Sequence, residues 1–165
     1  MSQFALRFHV LLSLLGILSG FVVLYGFFTG QRLEGWTLFF LLTTIATSVT
    51  GFPPFFKFEK LLPSHVVGIL SLLVLALAVY ARYAAGLAGG YRTTYVVCVV
   101  LAQYLNVFVL VVQMFRKIPA LNAFAPTQNE LPFKITQSVV LLLFIAAGWL
   151  AATSFDGIEL ALAAP

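Results

Sequence analysis

The chain has 165 residues, of which 62% are hydrophobic and 8% charged, and its formal net charge is +4. A soluble domain carries about a quarter charged residues, so this chain has too few to cover a water-facing surface. The positive balance does not point to nucleic acid: the basic residues are scattered at the ends of apolar runs, where they orient a membrane protein. The single cysteine, Cys98, lies inside an apolar run, which excludes an internal disulfide and any CxxC metal or redox motif. No P-loop, GxGxxG, HExxH or nucleophile elbow is present.

The apolar runs match the thickness of a bilayer, which takes roughly 20 apolar residues per helix. Five spans follow in chain order, at about Phe8 to Phe28, Trp36 to Phe52, His65 to Leu87, Thr93 to Phe115 and Ile135 to Thr153. Helices are required because every backbone polar group must be satisfied within its own segment, and the alternation of a membrane barrel strand is absent. The expected fold is therefore an all-α polytopic bundle, a single domain over residues 1–165. The first run is too long for a signal h-region and no A-x-A site follows it, so it reads as an uncleaved helix. The second is short and rich in hydroxyls. Pro53 and Pro54 end it, and Pro63 with Ser64 as N-cap opens the third. The segment from Ala120 to Ala125, within a loop holding Pro119, Pro126 and Pro132, is apolar and suits the membrane interface. Short connections make sequential helices antiparallel neighbours.

Counting basic residues sets the orientation. Arg7, Lys57, Lys60, Arg116, Lys117 and Lys134 fall on one side, and Arg32, Arg82 and Arg92 on the other. The larger set belongs in the cytoplasm, with the N-terminus. Asp156 and Glu159 then fall outside, where acids are tolerated, and Trp36, Tyr91 and Tyr95 near the outer interface.

Helices in lipid associate through close packing rather than a hydrophobic drive. On the first helix, Ser13, Gly16 and Gly20 share a narrow arc with His9, which turns His9 into the bundle near the cytoplasmic boundary. The GxxxG pair, Gly16 and Gly20, serves packing within the chain or a homodimer contact, and the first is expected. The second helix carries Thr43, Thr44, Thr47, Ser48, Thr50 and Gly51, most of them on one broad face. Those hydroxyls either line a path or bond back to carbonyls one turn earlier, and the second is expected. On the fourth helix, Gln103, Asn106 and Gln113 fall within an arc of roughly 80°. An amide facing lipid is costly, so this stripe either bridges helices or walls a cavity. On the third helix, Gly68, Ser71, Ala78 and Arg82 share a face. Arg82 lies near the outer end and is expected to snorkel to water; turned inward, it becomes a fixed charge for an anion, a headgroup or a quinone carbonyl.

His9 and His65 are the only histidines. They open two helices that leave the same side, so they lie at similar depth. Such a pair suits axial ligation of a b-type haem, a metal or proton transfer; the plainer expectation is two interface residues. No Asp or Glu lies inside any of the five spans, which weighs against a proton-driven pump.

The stretches Thr47-Ser-Val-Thr-Gly-Phe52, Leu62-Pro-Ser-His-Val-Val-Gly68, Tyr104-Leu-Asn-Val-Phe108 and Ala125-Pro-Thr-Gln-Asn-Glu130 resemble those of an uncharacterised group of small bacterial multi-pass inner-membrane proteins. The resemblance covers most of the chain and implies a bacterial inner-membrane location, but no activity or catalytic residue.

Three functions are compatible with this sequence. The chain is a non-catalytic accessory or structural subunit of a larger membrane complex, a haem- or quinone-binding electron-transfer module using His9 and His65, or an oligomeric channel or facilitator with a path between Thr43/Thr47 and Gln103/Asn106. They are ranked in that order. The loops are too short for a soluble catalytic domain, so an enzyme is the less favoured expectation. The expected surroundings are the lipid bilayer and a homo-oligomer or larger complex.

Overall fold

A computed structural model describes residues 3–52 and 63–155. All its regular structure is helical: α1 (Gln3–Phe28), α2 (Glu34–Thr50), α3 (Pro63–Val79) continuing into a π-helical turn (Tyr80–Ala84), α4 (Gly90–Lys117), a short α5 (Pro119–Phe124) and α6 (Leu131–Ser154). Among the described residues, four helices are long and apolar enough to cross a membrane: α1, the stretch from His65 to Ala84, α4 and α6. With 17 residues, α2 is shorter; at 1.5 Å per residue it extends about 25 Å, below a hydrocarbon core of about 30 Å.

The observed helices are mostly longer than the apolar runs. α1 begins at Gln3, α4 at Gly90 and α6 at Leu131, because polar residues at a helix end keep its hydrogen bonds while leaving the hydrophobic window; α2 keeps its expected length but is shifted two residues earlier, to Glu34–Thr50. The third helix ends earlier than expected, at Ala84 rather than Leu87. There the chain turns through Gly86 (φ 60°), Leu87 (φ 61°) and Gly89 (φ 51°), with Leu87 N–H donating to the Ala81 carbonyl. This left-handed exit closes the helix C-terminus by satisfying its last carbonyls. The apolar segment after Pro119 forms α5, a short helix with no buried residue. Its preceding proline suits the first helical position, where no N–H is needed. Pro53, Pro54, Lys57, Lys60, Asp156 and Glu159, and the proposed Ser64 cap, lie outside what the structure describes.

Chain neighbours pack as neighbours: α1 on α2, α2 on α3, α3 on α4 and α4 on α6, with α1 also touching α4 and α6. One end of the bundle gathers the start of α1, the end of α2, the start of α3 and the end of α4. The opposite end gathers Glu34, Arg82, Arg92 and Phe155. Half of the most apolar stretch of α4 is buried (50%), against 6% for α6, so α4 is the central helix and α6 the peripheral one. The core is a continuous layer including Val23, Phe27, Phe40, Leu75, Ala78, Tyr95, Val99 and Ala151. α6 lies on α4 through Gly148, whose absent Cβ would sit 3.4 Å from Val100, and through the Tyr104–Phe144 ring pair. The rest of α6, including Leu142, Ile145 and Trp149, faces outward.

Candidate functional site

The interior polar groups form two assemblies. The first is a seam joining α1, α2 and α4. Gln103 is fully buried, and its Nε2 donates to the Ile17 carbonyl at 2.8 Å. It lies over Gly20, where a Cβ would fall 2.0 Å from Gln103 Oε1. One turn along α4, Asn106 Nδ2 donates to Thr44 Oγ1 at 3.2 Å. Thr44 in turn fills the space over Gly16, where a Cβ would stand 3.1 Å from its hydroxyl. Both glycines of the GxxxG pair are thus covered from within the chain, so this pair does not offer a free dimer face.

The hydroxyls of α2 divide by position. Thr43 bonds back to the carbonyls of Phe39 and Phe40, and Thr50 to those of Ala46 and Thr47. Ser48 donates to Ser71 of α3 at 3.2 Å. The buried Thr47 Oγ1 and Gln103 Oε1 have no hydrogen-bond partner. Gln113 is half-buried, ten residues past Gln103 and beyond the Gln103 and Asn106 contacts, so the amide stripe works as a pair rather than a triad.

The two histidines lie at one end of the bundle, each against the end of α2. His9 Nδ1 is 2.9 Å from Thr50 Oγ1; since that hydroxyl's proton goes to a carbonyl, the imidazole is the donor in this pairing. His65 is buried and its ring lies 5.7 Å from that of Phe52, tilted by 34°. Among the described residues no group of three or more His, Cys, Asp or Glu side chains is placed to hold a metal ion.

The second assembly lies at the opposite end and corrects two expectations. Arg82 does not snorkel out. It is buried (6% exposed), its Nη1 donates to the Tyr95 hydroxyl at 3.1 Å and its Nη2 to Glu34 Oε2 at 2.5 Å. Its guanidinium carbon stands 5.1 Å from the Tyr95 ring centre and 5.7 Å from that of Tyr83, within the range where a cation gains from an aromatic face. Tyr95 likewise is no interface residue: it is fully buried and packs edge-on against Phe27 at 5.6 Å. Arg82 follows the buried Ser71, Leu75 and Ala78 at helical spacing, within a π-helical turn closed by the Ala85 N–H on the Tyr80 carbonyl, in which Ala81 is buried too. Such wide turns are rare and recur at functional sites.

Hydrogen bonding in this assembly is directional. Arg82 donates to the Tyr95 hydroxyl, and the buried Thr37 Oγ1 donates to the Arg32 carbonyl at 3.1 Å. The Tyr95 hydroxyl and ring thus hold the guanidinium on its inner side and leave its other edge to Glu34. The Glu34 side chain is 67% exposed, and ion pairs with an exposed member contribute only about 0–1 kcal/mol. Leu33, directly before Glu34, has φ 40°, an uncommon backbone for a residue with a side chain. Nearby, Arg92 donates to the Phe155 carbonyl, fastening the end of α6 to the start of α4.

Glu34, Thr37 and Tyr95 were not distinguished by sequence. Glu34 lies just ahead of an apolar run, and Tyr95 falls where a membrane-interface ring belongs. Their meeting with Arg82 depends on how three helices pack. No family model, curated protein or solved structure matches the chain.

Proposed function

We propose that this protein is a five-span, multi-pass protein of a bacterial inner membrane, with its N-terminus in the cytoplasm, that serves as a non-catalytic accessory or structural subunit of a larger membrane complex. The observation that carries this reading is the use made of the α4 amides. Gln103 and Asn106 are bonded to α1 and α2, and Gly16 and Gly20 are covered by α2 and α4 side chains, which is how polar residues act as glue between membrane helices. The peripheral α6, with its outward Leu142, Ile145 and Trp149, supplies an apolar face for lipid or a neighbouring subunit. The orientation is supported by the six basic residues expected on the N-terminal side against three on the other, as cytoplasmic loops are enriched in Lys and Arg. α2, although short, falls at the lower limit of about 17 residues for a span.

The test is purification of the tagged chain from its native membrane in a mild detergent after brief cross-linking. A partner recovered in fixed stoichiometry, and lost when Leu142 and Ile145 are both replaced by Trp, is the expected result. A monodisperse isolated chain carrying its own bound chromophore or substrate would defeat the proposal.

The placement of both histidines beside the end of α2 favours a second reading, a b-type haem or quinone module. Neutral imidazoles at one depth are suitable axial ligands. A Soret band with sharpened dithionite-reduced bands, lost in His9→Ala and His65→Ala, would establish it; a colourless preparation from haem-replete cells would exclude it.

A further inference from the structure

We infer that the outer edge of the Arg82 guanidinium is an oxyanion site for a phosphate group, with Glu34 as its displaceable internal occupant. Three observations place it. Arg82 is a buried cation whose inner edge is held by the hydroxyl and ring of the fully buried Tyr95. The guanidinium thus keeps its direction whether or not Glu34 is engaged. Its outer edge meets a carboxylate through one oxygen only, on a side chain that is 67% exposed. Arginine is suited to bidentate recognition of phosphate and carboxylate, and a single contact to Glu34 leaves that capacity unfilled. Finally, the backbone on both sides is unusual: the π-helical turn carries Arg82, Leu33 (φ 40°) precedes Glu34, and Leu87 (φ 61°) follows the turn. Sparsely populated conformations of this kind concentrate at ligand clamps and switch regions.

The site lies at an end of the bundle rather than in its middle, next to Trp36 and Tyr91, which are exposed. Aromatic residues of that type sit at headgroup depth. On the membrane reading above, on which the lipid source alone depends, the phosphate of an anionic phospholipid reaches Arg82 as Glu34 swings aside. A free phosphate in the aqueous phase has the same chemistry. Glu34 acts as a competitor in both cases, so its removal strengthens binding rather than weakening it, the opposite of what a purely structural ion pair would show.

The experiment uses the full chain in phosphatidylcholine nanodiscs. Binding of phosphatidylglycerol, followed by native mass spectrometry and by the shift in melting temperature, is compared with the effect of inorganic phosphate. Glu34→Gln should bind about twofold to fivefold more tightly than the unaltered chain, the fold-change matching loss of an exposed carboxylate competitor. Tyr95→Phe, which removes the hydrogen bond to Arg82 but keeps the ring, should weaken binding in the same assay. Arg82→Gln should abolish it. A response to phosphatidylglycerol alone assigns the site to lipid, and a response to inorganic phosphate assigns it to the soluble anion; both support the oxyanion site. Glu34→Gln binding neither ligand more tightly than the unaltered chain overturns it. Because Glu34 is exposed, that variant keeps its fold and decides the matter even if Arg82→Gln is unstable. Recovery of a protein partner has no bearing on this result, so the proposed subunit role and the phosphate site fail separately.

Discussion

Gly20 and Gln103 share one space: the fully buried amide lies over the glycine backbone, where a Cβ would come within 2.0 Å of Oε1 and 2.4 Å of Cδ. Gly20 in α1 is therefore fitted to a particular side chain of α4. The glycine removes the obstacle, and the amide converts the close approach into a hydrogen bond on Ile17.

Gly20→Ala should drive the amide off the Ile17 carbonyl and leave buried polar groups unpaired, at a cost of about 1–3 kcal/mol. Gly16→Ala should cost less, because the nearest atom there is 3.1 Å away. Thermal unfolding in one detergent gives both values. Adding Gln103→Ala to Gly20→Ala should recover part of the loss, since the two residues share one contact; strictly additive effects would contradict the fit.

Asn106 and Thr44 provide a test of glue against pathway. A double-mutant cycle with Asn106→Leu and Thr44→Val should show a coupling of about 0.6 kcal/mol, as measured for hydrogen bonds between membrane helices. If the seam carries a solute, liposome flux should collapse in Asn106→Leu. On the structural reading, no flux distinguishes the variant from the unaltered chain.

The turn before α6 is acid-sensitive. Glu130 accepts from the Thr127 hydroxyl at 2.8 Å, the Thr127 N–H at 3.2 Å and the Asn129 N–H at 3.0 Å. Desolvation acts to raise its pKa, but these hydrogen bonds outweigh it and hold the carboxyl below its ordinary value. A depressed folded pKa means that the stabilisation is complete above the unfolded carboxyl's pKa and is lost as pH falls through the folded one. Protection of the Thr127 and Asn129 amides, measured as exchange relative to the unstructured rate at the same pH, should therefore hold at neutral pH and be lost only in acid. Glu130→Gln should lower that protection at neutral pH.

Orientation is directly measurable. Cys98 is the only cysteine and is buried, so background labelling by a membrane-impermeant maleimide should be low. Gly35, with no atom within 4 Å of a built Cβ, accepts a cysteine. Gly35→Cys should label in intact cells, and Asn129→Cys only after permeabilisation. The reverse pattern would invert the proposed topology.

Much of the architecture was legible in the chain because hydrocarbon imposes a severe condition. A helix in lipid must satisfy its backbone internally and present apolar side chains over a set length, and both demands leave long uninterrupted runs in the sequence. Spacing alone also placed His9, Ser13, Gly16 and Gly20 on one arc, and His9 does meet Thr50 while both glycines pack inward. The helix ends were less legible: Glu34 lies outside the hydrophobic window yet inside α2, because hydrogen bonding rather than hydropathy ends a helix.

Arg82 shows where sequence reasoning stopped. Near the end of an apolar helix, an arginine on the inner face can reach out to water or stay buried: spacing from Ser71 and Ala78 fixes the face, but only the partners on other helices decide between the two. Its partners come from α2 and α4, separated from it by 48 and 13 residues. By itself, the sequence determined that this is an apolar, all-helical chain with polar stripes on particular faces, since those properties depend only on local periodicity and burial in lipid. The tertiary structure alone decided which stripes meet, that the α4 amides are spent on α1 and α2, and that Arg82 turns inward to Tyr95 and Glu34, because contacts between distant helices depend on packing that no local pattern encodes.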